Sequence, residues 1–144
     1  QIPHLAASSK PLCIALDGTA LRPWCHFELP RSDYRSRRQS DVPLDPKHQV
    51  VEFESLGTRV KNTKRFYVLN PTGEIYEFTW KQDLLLDKKG EQEDPFRCLT
   101  KRGTILPGKK YEMVFDYLPT TVATQESFWT FSISGKDANQ HFVL

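Results

Sequence analysis

Residues 65–80 read Arg-Phe-Tyr-Val-Leu-Asn-Pro-Thr-Gly-Glu-Ile-Tyr-Glu-Phe-Thr-Trp. Phe66 and Val68 fall on one face with Asn70, and Tyr76, Phe78 and Trp80 share a face opposite Glu77, Thr79 and Lys81. Alternation with period two marks half-buried strands. Asn70-Pro71-Thr72-Gly73 between them supplies turn chemistry: proline fixes one dihedral, and asparagine and glycine tolerate positive φ. The stretch reads as a hairpin with three large rings pointing inward. Such a layout makes the centre of a sandwich core and not an active site.

Working outward, the same kind of segment recurs. Trp24 to Pro30 alternates and is closed by a proline, as suits an edge strand. Further strands are expected near 50–54, 64–70, 75–82, 97–101, 110–117, 127–134 and 140–144. Short strands at regular spacing with turns between them predict an all-β, immunoglobulin-like antiparallel β-sandwich of seven or eight strands. Its expected core is Phe53, Phe66, Val68, Tyr76, Phe78, Trp80, Phe115, Trp129 and Phe131. Residues 31–49 are polar and carry Pro43 and Pro46, which predicts a loop or linker without strand or helix. Gly103 and Gly108 flank Thr104-Ile105-Leu106-Pro107, again turn chemistry. Residues 83–95 form a charged excursion that follows the triplet Leu84-Leu85-Leu86.

Composition bounds what the chain does. At 144 residues, 38% hydrophobic and 12% aromatic, it makes one domain, with a core built from large rings. A net charge of +2 argues against a dedicated nucleic-acid binder. No apolar run approaches the roughly 18 residues of a membrane span. The start, Gln1-Ile2-Pro3-His4, has neither an initiator methionine nor a signal pattern, so the chain reads as a fragment of something longer. Cys13, Cys25 and Cys98 are odd in number and widely spaced, which favours reduced thiols of a cytosolic protein, although a Cys25–Cys98 disulfide is open by count alone.

Catalytic constellations are not legible. His4, His26, His48 and His141 lie in no nucleophile motif, and Cys25 and His26 point to opposite faces of their strand. Cysteines and histidines lack metal-ligand spacing. The seven glycines are spread singly over turns, and Glu91, Glu93 and Asp94 belong to a solvated charge run. No catalytic residue, cofactor or metal site is therefore expected. Arg31, Arg35, Arg37 and Arg38 surround Tyr34 and offer a basic segment for an anionic partner such as an acidic tubulin tail. Arg37-Arg38-Gln39-Ser40 also matches the consensus of basophilic kinases.

The order of motifs resembles the ASH family, relatives of the major sperm protein and PapD immunoglobulin-like folds. Phe53 with Gly57 gives the Phe-x-x-x-Gly ending of a first strand. Asn70-Pro71, the aromatic strand Tyr76/Phe78/Trp80, the turn Leu106-Pro107-Gly108, the strand Tyr111/Met113/Phe115/Tyr117 and Pro119 follow in the family's order. The match runs from about Pro23 to the C-terminus, and within the family the wording is most similar to a very long repeat chain of motile cilia. Leu16-Asp17-Gly18 to Pro23 is similar to the junction between two repeats. Residues 1–20 would then be the tail strand of a preceding repeat or a linker, with Leu12, Ile14 and Leu16 on one face, and residues 21–144 the domain. The resemblance implies a non-catalytic scaffold module of an axonemal repeat protein, required for central-pair assembly and cilium movement. It implies axonemal or microtubule-associated partners and adjacent repeats, with neither nucleic acid nor membrane, in the cytoplasm of the cilium. The alternative is a peptide- or protein-capturing domain of the same fold in another cytoskeletal or centrosomal protein.

Overall fold

The computed structural model describes residues 25–83, 94–136 and 139–144. The strand expected at Leu12 to Leu16, Cys13, His4, the leucine triplet and Glu91 and Glu93 lie outside these residues. The described elements are β1 (His26–Glu28), the single turn of helix α1 (Tyr34–Arg37), β2 (Gln49–Val50), β3 (Asn62–Leu69), β4 (Tyr76–Gln82), β5 (Phe96–Cys98), β6 (Arg102–Ile105), β7 (Lys110–Tyr117), β8 (Phe128–Ile133) and β9 (Asn139–Val143).

The strands form two sheets in the orders β1-β3-β7-β5 and β2-β9-β8-β4-β6. All pairs are antiparallel except β2 with β9, which is parallel. The sandwich is therefore the expected one, with nine strands among the described residues instead of seven or eight. β3 and β4 do not pair with each other. The stretch read as a hairpin is a crossover from one sheet to the other, and its two strands meet face to face, with Phe66 and Trp80 rings 6.3 Å apart, edge to face.

The reason lies in Asn70, which is completely buried. Its Nδ2 donates to the carbonyls of Glu74 (2.6 Å) and Ile105 (3.1 Å). Its Oδ1 accepts from the backbone N–H (3.0 Å) and the hydroxyl (2.7 Å) of Thr72. Its backbone N–H donates to Lys109 O, and its carbonyl accepts from Gly108 N–H. A two-residue hairpin would spend those backbone groups across the turn. Here they are spent on the β6–β7 connection, so the chain leaves the first sheet and enters the second.

Between the layers the rings interdigitate. Trp80 stands edge-on to Phe115 (5.1 Å), Phe131 (5.1 Å) and Phe142 (5.0 Å), and its indole N–H points at the sulfur of Met113, 3.3 Å away. Edge-to-face contacts of this spacing are the favoured aromatic geometry. Phe66, Val68, Tyr76, Phe78, Trp80, Phe115, Trp129 and Phe131 are all buried. Phe53 is half-buried and packs on Phe96 and Tyr117 at one end of the sandwich.

Two further readings are corrected. Residues 102–105 are strand β6, not a turn. Gly103 pairs with Phe78 in the register, and a Cβ added to it would lie 2.7 Å from the Phe78 ring and from the Tyr111 hydroxyl. Glycine stands inside this strand because an aromatic ring covers the backbone there. Of the expected strand 50–54, only Val50 is paired as strand, although Val51 N–H still bonds Val143 O. Cys25 and Cys98 are buried free thiols at opposite edges of the four-stranded sheet. Three interstrand spacings, about 14 Å, separate those edges, beyond the reach of a disulfide.

Replacement of Gly103 by alanine forces the Phe78 ring out of place. We expect Gly103→Ala to lower unfolding free energy by about 1–3 kcal/mol in urea titrations, with an unchanged slope, in the range of overpacked cores. An unaffected midpoint would contradict the close approach.

Candidate docking surface and its arginine clasp

The segment between β1 and β2 is not a free linker. It carries α1, whose N–H groups at Ser36 and Arg37 bond Asp33 O, and it is tied to the sandwich by the arginines singled out above. Arg38 makes a two-pronged contact with Glu126: Nε to Oε2 at 2.7 Å and Nη2 to Oε1 at 3.1 Å. The Tyr34 hydroxyl donates to the same Oε2 at 2.7 Å. The Arg38 and Glu126 side chains are only 12% and 23% exposed, so water screens this pair poorly. Burial raises the Glu126 pKa, yet the hydrogen bonds from Arg38 and Tyr34 outweigh it and hold the carboxyl below its ordinary value. Burial first, and then the Glu126 carboxylate, push the Tyr34 phenol up to about 12, against the opposing pull of Arg38.

Arg37 bonds Asp33 and Glu52, and Glu52 also accepts from the Ser32 hydroxyl at 2.7 Å. The hydrogen bonds from Ser32 and Arg37 hold the Glu52 carboxyl below its ordinary range. Arg35 donates to the carbonyls of Leu44, Asp45 and His48. Arg31 is exposed. Thus the anions that Arg37 and Arg38 meet are the chain's own, and the basic segment acts first as an internal clasp. Sequence spacing gave no sign of the Arg38–Glu126 pair, because its members stand 88 positions apart.

The clasp borders a cleft of about 550 Å3 at the end of the sandwich. Phe53, Phe96 and Tyr117 supply aromatic surface, with Phe96 and Tyr117 stacked at 4.6 Å. Val51 and Leu144 line it, and the loop 121–125 stands over it. Val122 in that loop is 96% exposed. Tyr34, Arg37 and Glu52 form its polar rim. An apolar floor with a polar rim suits an apolar side chain presented by another polypeptide. Among the described residues, no cluster of three or more histidine, cysteine or acidic side chains has metal-binding geometry.

No family model matches the chain. Over 153 residues covering all of it, the chain is 38% identical to the hydrocephalus-inducing protein of Mus musculus. Over 152 residues it is 36% identical to the hydrocephalus-inducing protein homolog of Homo sapiens. It spans 3% of the length of each. Among solved structures it is similar to the ASH/PapD-like domain of human CEP192 (PapD-like domain 7), with a TM-score of 0.51 and 12% identity over 74% of this chain and 94% of that one. The chain carries the ASH/PapD-like fold. The ASH/PapD-like motif residues serve that fold: Asn70 pins the crossover, Pro107-Gly108 closes the β6–β7 turn onto it with Gly108 at φ +68°, and the Tyr111/Met113/Phe115/Tyr117 face packs inward.

On the outer side of the five-stranded sheet, the His48 ring packs against Phe128 (5.6 Å) and His141 (5.7 Å), and its buried Nδ1 has no hydrogen-bond partner. Burial, then the His141 and Arg35 charges, pull the His48 pKa below its ordinary value, against the opposing pull of Asp45. A histidine with a depressed folded-state pKa favours folding while neutral. Its contribution is complete above about pH 6.5 and is lost as pH falls through that value toward the lowered one. We expect stability to decline as pH falls below about 6.5, and His48→Gln to flatten that slope in pH-resolved thermal melts. Identical slopes for the two proteins would contradict the assignment.

Proposed function

We propose that this ASH/PapD-like chain is a non-catalytic scaffold module of a large axonemal repeat protein that supports central-pair assembly and cilium motility. The observation that carries the reading is 36–38% identity, over the whole chain, to a segment amounting to 3% of the hydrocephalus-inducing protein and its homolog. A segment so small acts as one unit in a long chain. Its own contributions are rigidity and a docking surface. The ring-filled core makes a stiff body, and the cleft beside the arginine clasp receives an apolar side chain of an axonemal or microtubule-associated protein. Neighbouring repeats are its other partners, and the module works in the cytoplasm of the cilium.

A second reading, peptide capture along a sheet edge, has its own support. β6 is an edge strand of the five-stranded sheet, and Ile75 and Leu106 stand exposed beside it. An added strand there would find backbone hydrogen bonds and apolar contacts together. Co-sedimentation separates the two. The 144-residue chain should pellet with demembranated axonemes, less with axonemes that lack the central pair, and Val122→Asp should weaken the binding severalfold. Equal binding to both kinds of axoneme would overturn the axonemal reading. Sensitivity to substitutions in β6 alone would favour edge capture.

We further propose that the module comprises residues 21–144 and that residues 1–20 belong to what precedes it. Their removal is expected to leave the thermal midpoint within a few degrees, since a change near 1 kcal/mol moves a domain of this size by about 2–8 °C. A fall well beyond that range would make Leu12 to Leu16 an integral strand.

A further inference from the structure

In the motif Arg37-Arg38-Gln39-Ser40 the arginines form the clasp, but Ser40 has no part in the reading above. Two arginines three and two positions ahead of a serine are what an arginine-directed serine/threonine kinase reads, by setting each guanidinium against carboxylates of its own. In this fold those guanidiniums already lie on carboxylates, Arg37 on Asp33 and Glu52, Arg38 on Glu126. Ser40 itself is exposed, in irregular chain just past α1. Its Oγ accepts the Val42 N–H at 3.3 Å, while Arg38 Nη1 bonds the Val42 carbonyl. The Arg38 guanidinium and the Ser40 hydroxyl thus bracket one residue. The acceptor is presented, but its recognition elements are occupied.

We propose that Ser40 is a phosphorylation site for an arginine-directed serine/threonine kinase, and that the Arg38–Glu126 clasp gates it. The kinase transfers the γ-phosphoryl group of ATP. A bond forms between phosphorus and Ser40 Oγ, the bond from phosphorus to the β–γ bridging oxygen breaks, ADP leaves, and the hydroxyl proton passes to the kinase's base. Recognition needs Arg37 and Arg38 withdrawn from their internal partners, so the rate scales with the fraction of molecules whose clasp is open. Once made, the phosphoserine carries close to two negative charges and competes with Glu126 for Arg38. Modification and clasp closure therefore oppose each other, and the phosphorylated segment stays detached from the rim of the cleft.

Glu126 lies 88 positions beyond Arg38, so its substitution leaves the recognition sequence intact. The test incubates the 144-residue chain, its Ser40→Ala and Glu126→Gln variants, and a peptide of residues 33–44 with an arginine-directed kinase catalytic subunit and ATP. Intact mass and fragmentation locate the phosphate, and tryptophan emission verifies that Glu126→Gln keeps the buried core. We expect phosphate at Ser40 of the wild-type chain, none at that segment in Ser40→Ala, and an initial rate about tenfold higher in Glu126→Gln, approaching the peptide's. Faster hydrogen exchange over residues 33–44 in the phosphorylated chain should accompany it. A peptide that is modified to completion while Ser40 stays unmodified in both folded proteins would overturn the site. Equal rates for wild type and Glu126→Gln would overturn the gate.

Discussion

One buried amide governs how this chain is wound. Asn70 is an asparagine shut away from water, and a buried polar group is tolerated only when its hydrogen bonds are made. Both side-chain donors and the side-chain acceptor are used, and so are its backbone N–H and carbonyl. The partners belong to two different connections, β3 to β4 and β6 to β7, so the residue sews them together at one end of the sandwich. Everything downstream follows. β4 begins in the second sheet, Trp80 reaches across to Phe115, and Gly103 is brought under Phe78.

Much of this was legible in the sequence, and the omissions share a physical cause. Period-two alternation identified the strands around Phe66, Trp80, Phe115 and Phe131, because a pleated strand with one wet face imposes that pattern whatever its partner. Alternation says nothing about which strand lies beside which. The Asn-Pro-Thr-Gly turn was compatible with a hairpin, and only the destination of Asn70's hydrogen bonds decides for a crossover. β6 was hidden because its glycine, read locally, is a turn residue, whereas its reason for being there is a ring contributed by β4. The arginines were read as outward-facing for a similar reason. Their counter-charges Glu52 and Glu126 stand far away in the chain, and α1 is too short to show helical periodicity.

The two ends of the sandwich differ in kind. The Asn70 end is closed by hydrogen bonds among backbone and amide groups. The opposite end is open, with a cleft whose floor is aromatic and whose rim is held by ion pairs. Closed ends suit transmission of shape, and open ones suit recognition, because side chains can be exchanged there without disturbing strand pairing. The proposed scaffold role would use that division: the ring core would keep the module stiff, and the clasp side would supply adaptability.

The positions of the two buried cysteines carry a last consequence. Burial pushes both thiols up to about 11, so near neutrality almost none is thiolate, the form that reacts. Cys25 sits beside β1 and Cys98 within β5, the two outer strands of the same sheet. An alkylating reagent reaches either one only after its strand has peeled away. The pair is therefore a built-in clock with two hands, each recording how often one margin of the sheet breathes.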